Sequence, residues 1–147
     1  MDIQLTKNFK LSEFVESATI NDIKDVTKRN KLLALQNNLT INTVGYLYSL
    51  ASHVLQPVRD KLGMVISVSS GFRCPQLNNL VKGVANSQHL VGQAADVYCM
   101  DNYHLLELLK ETDYDQLICY GPQKSPRFIH VSYVSKATNR HQYLIKK

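Results

Sequence analysis

Two histidines and an aspartate stand at a spacing that suits one metal ion. His89 and Asp96 lie in Ser87-Gln-His-Leu-Val-Gly-Gln-Ala-Ala-Asp-Val, and His130 lies in Arg127-Phe-Ile-His-Val-Ser-Tyr. Catalytic zinc commonly takes three protein ligands at about 2 Å and keeps a fourth position for water, and imidazole nitrogen with carboxylate oxygen suits it. Such an ion polarises a carbonyl and lowers the pKa of its water toward about 7, which is the chemistry of metal-assisted amide hydrolysis. Seven extended residues would span roughly 23 Å, so His89 and Asp96 share an ion only if the chain between them folds back. Gly92 supplies a residue able to make that reversal. Taken singly, each of the three has an ordinary structural explanation; together they form the candidate site.

The elements that must position these residues read as a helical half followed by a mixed half. Ser12 can cap a short helix through Phe14 and Val15, and the Asn- and Thr-rich segment from Thr19 to Asn30 reads as a connector with weak helical content. From about Lys31, Leu32, Leu35, Leu39, Val44, Leu47, Leu50, Val54 and Leu55 recur near helical spacing, as one long helix or two shorter ones. Pro57 is expected to end or kink that run, and Gly63 separates it from the β-branched strand Met64-Val-Ile-Ser-Val-Ser-Ser. Gly71 opens the loop holding Arg73, and Pro75 starts a short helix through Leu77 and Leu80 that Lys82-Gly83 closes. Ala94 to Cys99 reads as a strand. Asp101 or Asn102 caps a helix whose apolar face is Leu105, Leu106, Leu108 and Leu109. Asp115 to Tyr120 and Arg127 to Val134 read as two strands of an antiparallel hairpin, with a last strand at Tyr143 to Ile145. Alternation puts Phe128, His130 and Ser132 on one face and Ile129, Val131 and Tyr133 on the other, so His130 faces a cleft while its neighbours fill the core. The expected class is α+β: a small antiparallel sheet carrying the zinc site, packed against N-terminal and intervening helices. No repeat, low-complexity tract or linker divides the chain, so residues 1–147 are read as one domain.

Composition limits the alternatives. A chain of 147 residues with 44% hydrophobic content can fill a single core. Met-Asp-Ile-Gln-Leu-Thr-Lys-Asn-Phe lacks the basic start, apolar run and cleavage site of a signal peptide, and no later stretch has the apolar length of a membrane span. Cys74, Cys99 and Cys119 are odd in number and lack CxxC spacing, so buried thiols are expected rather than a disulfide framework or cysteine zinc cluster. The net charge of +5 does not choose between a nucleic acid and an anionic cell wall. Its lysines and arginines are scattered and no nucleic-acid motif accompanies them, so no specific nucleic-acid or membrane partner is expected. His53, His104 and His141 read as structural residues.

Ser87, His89, Gly92, Ala94, Asp96 and His130 together fit the pattern Ser-x-His-x-x-Gly-x-Ala-x-Asp followed by His, with Ser-Gly-Phe-Arg-Cys-Pro upstream. In this the chain resembles the M15 family of zinc D-Ala-D-Ala carboxypeptidases and related phage endolysins. The likeness takes in Phe9-Lys-Leu-Ser-Glu-Phe, Leu55-Gln-Pro-Val-Arg59, Asp115-Gln-Leu-Ile118 and the Arg140 region, and so covers most of the chain; it is greatest to compact phage-type members.

The resemblance implies the M15, hedgehog-like peptidase fold and zinc on His89, Asp96 and His130. It implies that Arg73 binds substrate or steadies the oxyanion, a task suited to a guanidinium fork, and that Ser87 and Gln88 orient substrate or the loop. The implied substrate is the peptide of bacterial peptidoglycan, cut at D-Ala-D-Ala or L-Ala-D-Glu. The implied setting is the host cytoplasm before holin-mediated release, or a virion among phage structural proteins. The chain departs from the family at the general base: the carboxypeptidase branch's acidic position is Arg127, and the phage branch's glutamate position is Tyr120. Tyr120 is therefore the remaining catalytic candidate, while Asp115, five residues earlier, is expected to be structural. If Tyr120 does not serve, the chain is a zinc-binding pseudoenzyme with a structural or binding role in a particle.

Overall fold

Residues 2–147 are described by a computed structural model. The chain opens with a small antiparallel pair, β1 (Gln4–Thr6) and β2 (Phe9–Lys10), followed by helix α1 (Leu11–Val15). The cap of α1 falls two residues earlier than Ser12, at Lys10: the Glu13 carboxylate accepts the Lys10 N–H at 2.7 Å, and the Ser12 hydroxyl turns to Asp2 instead. The expected connector contains α2 (Ala18–Asn21) and the start of α3 (Val26–Gln36). Ser17 and Asp25 accept N–H groups from Ile20 and Lys28 and so nucleate helices in a stretch with little apolar periodicity.

The leucine-rich stretch is divided after Gln36, and Thr40 caps the new helix α4 (Ile41–Leu50) by accepting from Thr43 N. Helix α4 continues through a π turn at Ala51–Leu55 into α5 (Gln56–Leu62). Pro57, expected to end or kink the run, thus does not end it. It lacks an N–H and would crowd the carbonyl four residues back; the wider turn, in which Gln56 N–H reaches Ala51 O, accommodates it. Gly63, with φ of 72°, then stops the helix.

The second half builds one sheet from β3 (Ser67–Ser70), β4 (Ala94–Tyr98), β5 (Gln116–Tyr120), β6 (Phe128–Ser132) and β7 (Gln142–Lys146), in the order β3-β4-β6-β5-β7. Between the strands lie α6 (Pro75–Leu80) and α7 (Asn102–Lys110), the latter capped by Asp101, which accepts from His104 N. Four strands are antiparallel, but β7 runs parallel to β5, so the sheet is mixed where an antiparallel one was expected. The reason lies in the preceding turn. Asn139 donates to Asp113 O, Arg140 N–H to the Asp115 carboxylate, and Gln142 N–H to Asp115 O, so β7 is made to start level with β5.

Period-two alternation then sorts the sheet. Ala95, Val97, Leu117, Cys119, Ile129 and Val131 are fully buried against α7 and the α4–α5 helix, where Leu105, Leu106, Leu109, Leu47, Leu50 and Leu55 meet them. The residues between them, Asp96, Ile118, Tyr120, Phe128 and His130, line a cleft on the other face. All three cysteines are free thiols, Cys74 and Cys119 buried and Cys99 partly so. Among the described residues no helix is long and apolar enough to cross a membrane.

Candidate metal centre

His89, Asp96 and His130 meet at the floor of this cleft, with one ligand atom from each lying within 4.8 Å of the others. Strand pairing does half of the work, because Asp96 on β4 and His130 on β6 are direct cross-strand partners. His89 comes from a short 3₁₀ turn, Gln88–Val91. The Ser87 hydroxyl accepts the His89 N–H and caps that turn, and Gly92 ends it at φ of 84°. Gly92 is needed for space as well: a Cβ there would lie 2.8 Å from Thr43 O. The reversal between His89 and Asp96 is therefore packed down on α4.

His89 Nδ1 lies 2.7 Å from Gly71 O. A carbonyl only accepts, so Nδ1 carries the proton, and Nε2 of a neutral ring presents its lone pair. That lone pair faces Asp96 Oδ1 at 3.4 Å, while His130 Nδ1 approaches the same oxygen at 3.0 Å. Two acceptors face each other stably only with a proton or a cation between them. Tetrahedral zinc with bonds of about 2.0–2.1 Å sets its ligand atoms about 3.3 Å apart, so the separations fit, as do the donor types. The backbone anchor on His89 is the outer-shell contact that fixes a ligating imidazole. His130 Nε2 is buried without a partner. Burial disfavours the charged Asp96, yet its close interactions with His130 and His89 outweigh it and hold the carboxyl well below the usual range.

Arg73 reaches the other oxygen of Asp96, with Nη2 to Oδ2 at 3.5 Å. Its Nε donates to Ser70 Oγ at 3.0 Å and its Nη1 to Asn78 Oδ1 at 3.3 Å. The loop itself is clamped by Gln36, which is 1% exposed. Its amide donates to Val15 O and Phe72 O, both at 2.8 Å, and accepts the Cys74 N–H at 2.9 Å, so both neighbours of Arg73 are tied to one side chain. Neither Gln36 nor Asn78 carries a sequence signal: each looks like a polar position in a helix.

Tyr120 lines the same cleft, stacked on Phe128 with ring centroids 4.5 Å apart. Burial and the nearby Asp96 push its phenol pKa up, and Arg73 only partly opposes them, so Tyr120 keeps its proton. Gln88 also lines the cleft, but its amide donates to Asp115 Oδ2 at 2.9 Å. Asp115, 2% exposed, is gripped at the same time by Arg140 Nη2 at 2.8 Å. This pair ties the His89 turn to the start of β5. His53 stacks on Tyr133 and His141 pairs with Asp113, outside the metal cluster.

The cleft encloses about 530 Å³, and Asp96 is the only carboxylate among the residues that line it. A comparison with curated proteins returns no significant match. The sequence model of a family described as Peptidase M15 matches residues 7–132, a span that holds every residue of the metal cluster together with Arg73 and Tyr120. The chain belongs to the M15 peptidase family.

Proposed function

We propose that the protein is a zinc-dependent peptidase that hydrolyses peptide bonds of bacterial peptidoglycan, as a D,D-carboxypeptidase or an L-Ala-D-Glu-type endopeptidase, and that it serves as a phage endolysin or virion-borne lysin. One observation carries this reading: His89, Asp96 and His130 converge at the floor of an open cleft, with Arg73 on the far carboxylate oxygen. When bound there, zinc supplies Lewis acidity toward a carbonyl and toward water. Arg73, held by Ser70 and Asn78, presents fixed donors where negative charge develops on the attacked amide. Tyr120 keeps its proton at Oη and offers a hydrogen bond to the same oxygen or to the leaving nitrogen. Ser87 and Gln88 hold the turn that carries His89, and their exposed atoms border the substrate.

A second reading rests on Tyr120. A general base normally takes the proton of the attacking water, and the only lining carboxylate, Asp96, is already committed to the histidines. A chain without that base would be a zinc-binding pseudoenzyme, kept as a structural or binding component of a phage particle. Digestion of purified peptidoglycan by zinc-loaded protein, with His89→Ala as control, separates the two. New amino groups that depend on zinc and on His89 establish the peptidase, and mass spectrometry of the fragments identifies the bond. No release from folded, zinc-bound protein leaves the pseudoenzyme. In that case Tyr120→Glu, which restores a carboxylate at the family's position, is expected to create measurable hydrolysis.

A further inference from the structure

The cleft carries more positive charge than its own acids answer. Arg73, Lys82, Arg140 and Lys146 line it, against the single carboxylate of Asp96. Asp96 is engaged by the histidines and Arg73, and Arg140 leans on the buried Asp115. Lys82 and Lys146 are left. Both are exposed, and among the described residues neither belongs to an ion pair.

Their positions are set by the fold. Lys146 is the parallel partner of Tyr120, so the two side chains leave the same face of the sheet at the end of β5. Arg140 is anchored at Asp115, beside the start of β5. Cations therefore mark both ends of a strand that runs roughly 13 Å from Gln116 to Tyr120 at 3.3–3.4 Å per residue. Lys82 comes from the segment between α6 and the His89 turn, and it stands at φ of 58°. That region strains any residue with a Cβ, and glycine is the usual occupant just past a helix end. Glycine is in fact the next residue, Gly83. The fold accounts for this conformation, since Lys82 N–H donates to Asn79 O at 3.1 Å and Gly83 N–H to Asn78 O at 2.8 Å in the cap that ends α6, and the side chain that this turn carries lines the cleft.

We infer that the cleft reads an acidic peptide: an extended chain with at least two free carboxylates, one met by Lys146 and one by Lys82, on either side of the bond laid over the metal centre. The fate of that bond rests on the peptidase reading, whereas the recognition does not. Exposed ion pairs are individually weak, but in a concave site of one sign they act together and are sensitive to salt. An acidic peptide is expected to bind about tenfold more tightly than its amidated twin at low salt.

The test is fluorescence anisotropy with labelled Ala-D-Glu-Ala-D-Glu-Ala and the same peptide carrying D-Gln, measured on zinc-loaded wild type and on His89→Ala protein. The diacid should bind about tenfold more tightly, and added salt should shrink the difference. Lys82→Gly combined with Lys146→Gln should remove most of the preference, whereas Lys31→Gln on α3 should keep it. Lys82→Gly alone should raise the melting temperature by relieving the left-handed strain, which guards against misfolding as an explanation. Equal binding of the two peptides, no binding of either, a preference untouched by the double change, or tighter binding of a single-stranded oligonucleotide would each overturn the inference. Preference without hydrolysis of peptidoglycan upholds the recognition and removes the peptidase reading; hydrolysis with equal binding does the reverse.

Discussion

Gly71→Ala should damage stability and metal binding together, although residue 71 is neither a ligand nor a left-handed glycine. A Cβ built at Gly71 would lie 2.7 Å from Phe14 Cα and 2.9 Å from Phe14 C, with Phe14 O nearer still. These are backbone atoms, and Phe72 N–H already donates to Phe14 O at 2.7 Å, so no side chain can simply rotate away. Overpacking of this kind costs about 1–3 kcal/mol, or a fall in melting temperature of about 3–10 °C for a chain of this size. The displaced carbonyl of Gly71 is also the anchor of His89 Nδ1, and loss of such an outer-shell partner weakens a metal site about 10- to 100-fold. Thermal unfolding followed by circular dichroism, and zinc competition against a chromophoric chelator, measure the two effects. Gly45→Ala is the control: nothing lies within 4 Å of its added Cβ, and alanine in a helix interior should stabilise by about 1 kcal/mol. If Gly71→Ala melts and binds zinc like wild type, the close approach of Phe14 and the role of the carbonyl anchor are both refuted.

Gln36→Leu should lower stability by several kcal/mol, since it leaves Val15 O, Phe72 O and Cys74 N–H without their partner and each buried unpaired group costs about 1–3 kcal/mol; urea unfolding measures it, and a midpoint near wild type would show that the clamp is dispensable. Burial raises the Asp115 carboxyl, but hydrogen bonds from the Arg140 side chain, its N–H and Gln88 outweigh this and hold the folded pKa below the ordinary value. The stability this contributes is complete above the unfolded pKa of about 3.9 and is lost as pH falls through the lower folded one. Asp115→Asn should therefore melt lower than wild type at pH 7 and lose less on acidification, and parallel curves of melting temperature against pH would contradict the assignment.

Much of the site was legible because its information is local. The ligand residues and Gly92 lie within eight positions of one another except for His130, and that residue announced itself through the alternation of Phe128 to Tyr133, which a sheet with one buried face must obey. The same rule placed Tyr120 on the site's side of β5 once its pairing with Phe128 was known. Local rules failed where a polar contact outweighed periodicity. Ser17 and Asp25 began helices in a segment poor in apolar spacing.

By itself, then, the sequence determined the class of elements and the residue types of the candidate metal site, both of which depend on neighbours along the chain. Only the tertiary structure decided that β7 lies parallel to β5, that Gln36 holds both flanks of Arg73, that Gln88 and Arg140 meet on Asp115, and that Lys82 and Lys146 face one cleft. The physical reason is distance along the chain. Gln36 and Cys74 are 38 residues apart, Gln88 and Asp115 are 27 apart, and Asp115 and Arg140 are 25 apart. Partners so far separated are chosen by the packing of whole elements, and no spacing in the sequence records which buried amide or which exposed lysine the fold will bring to the same place.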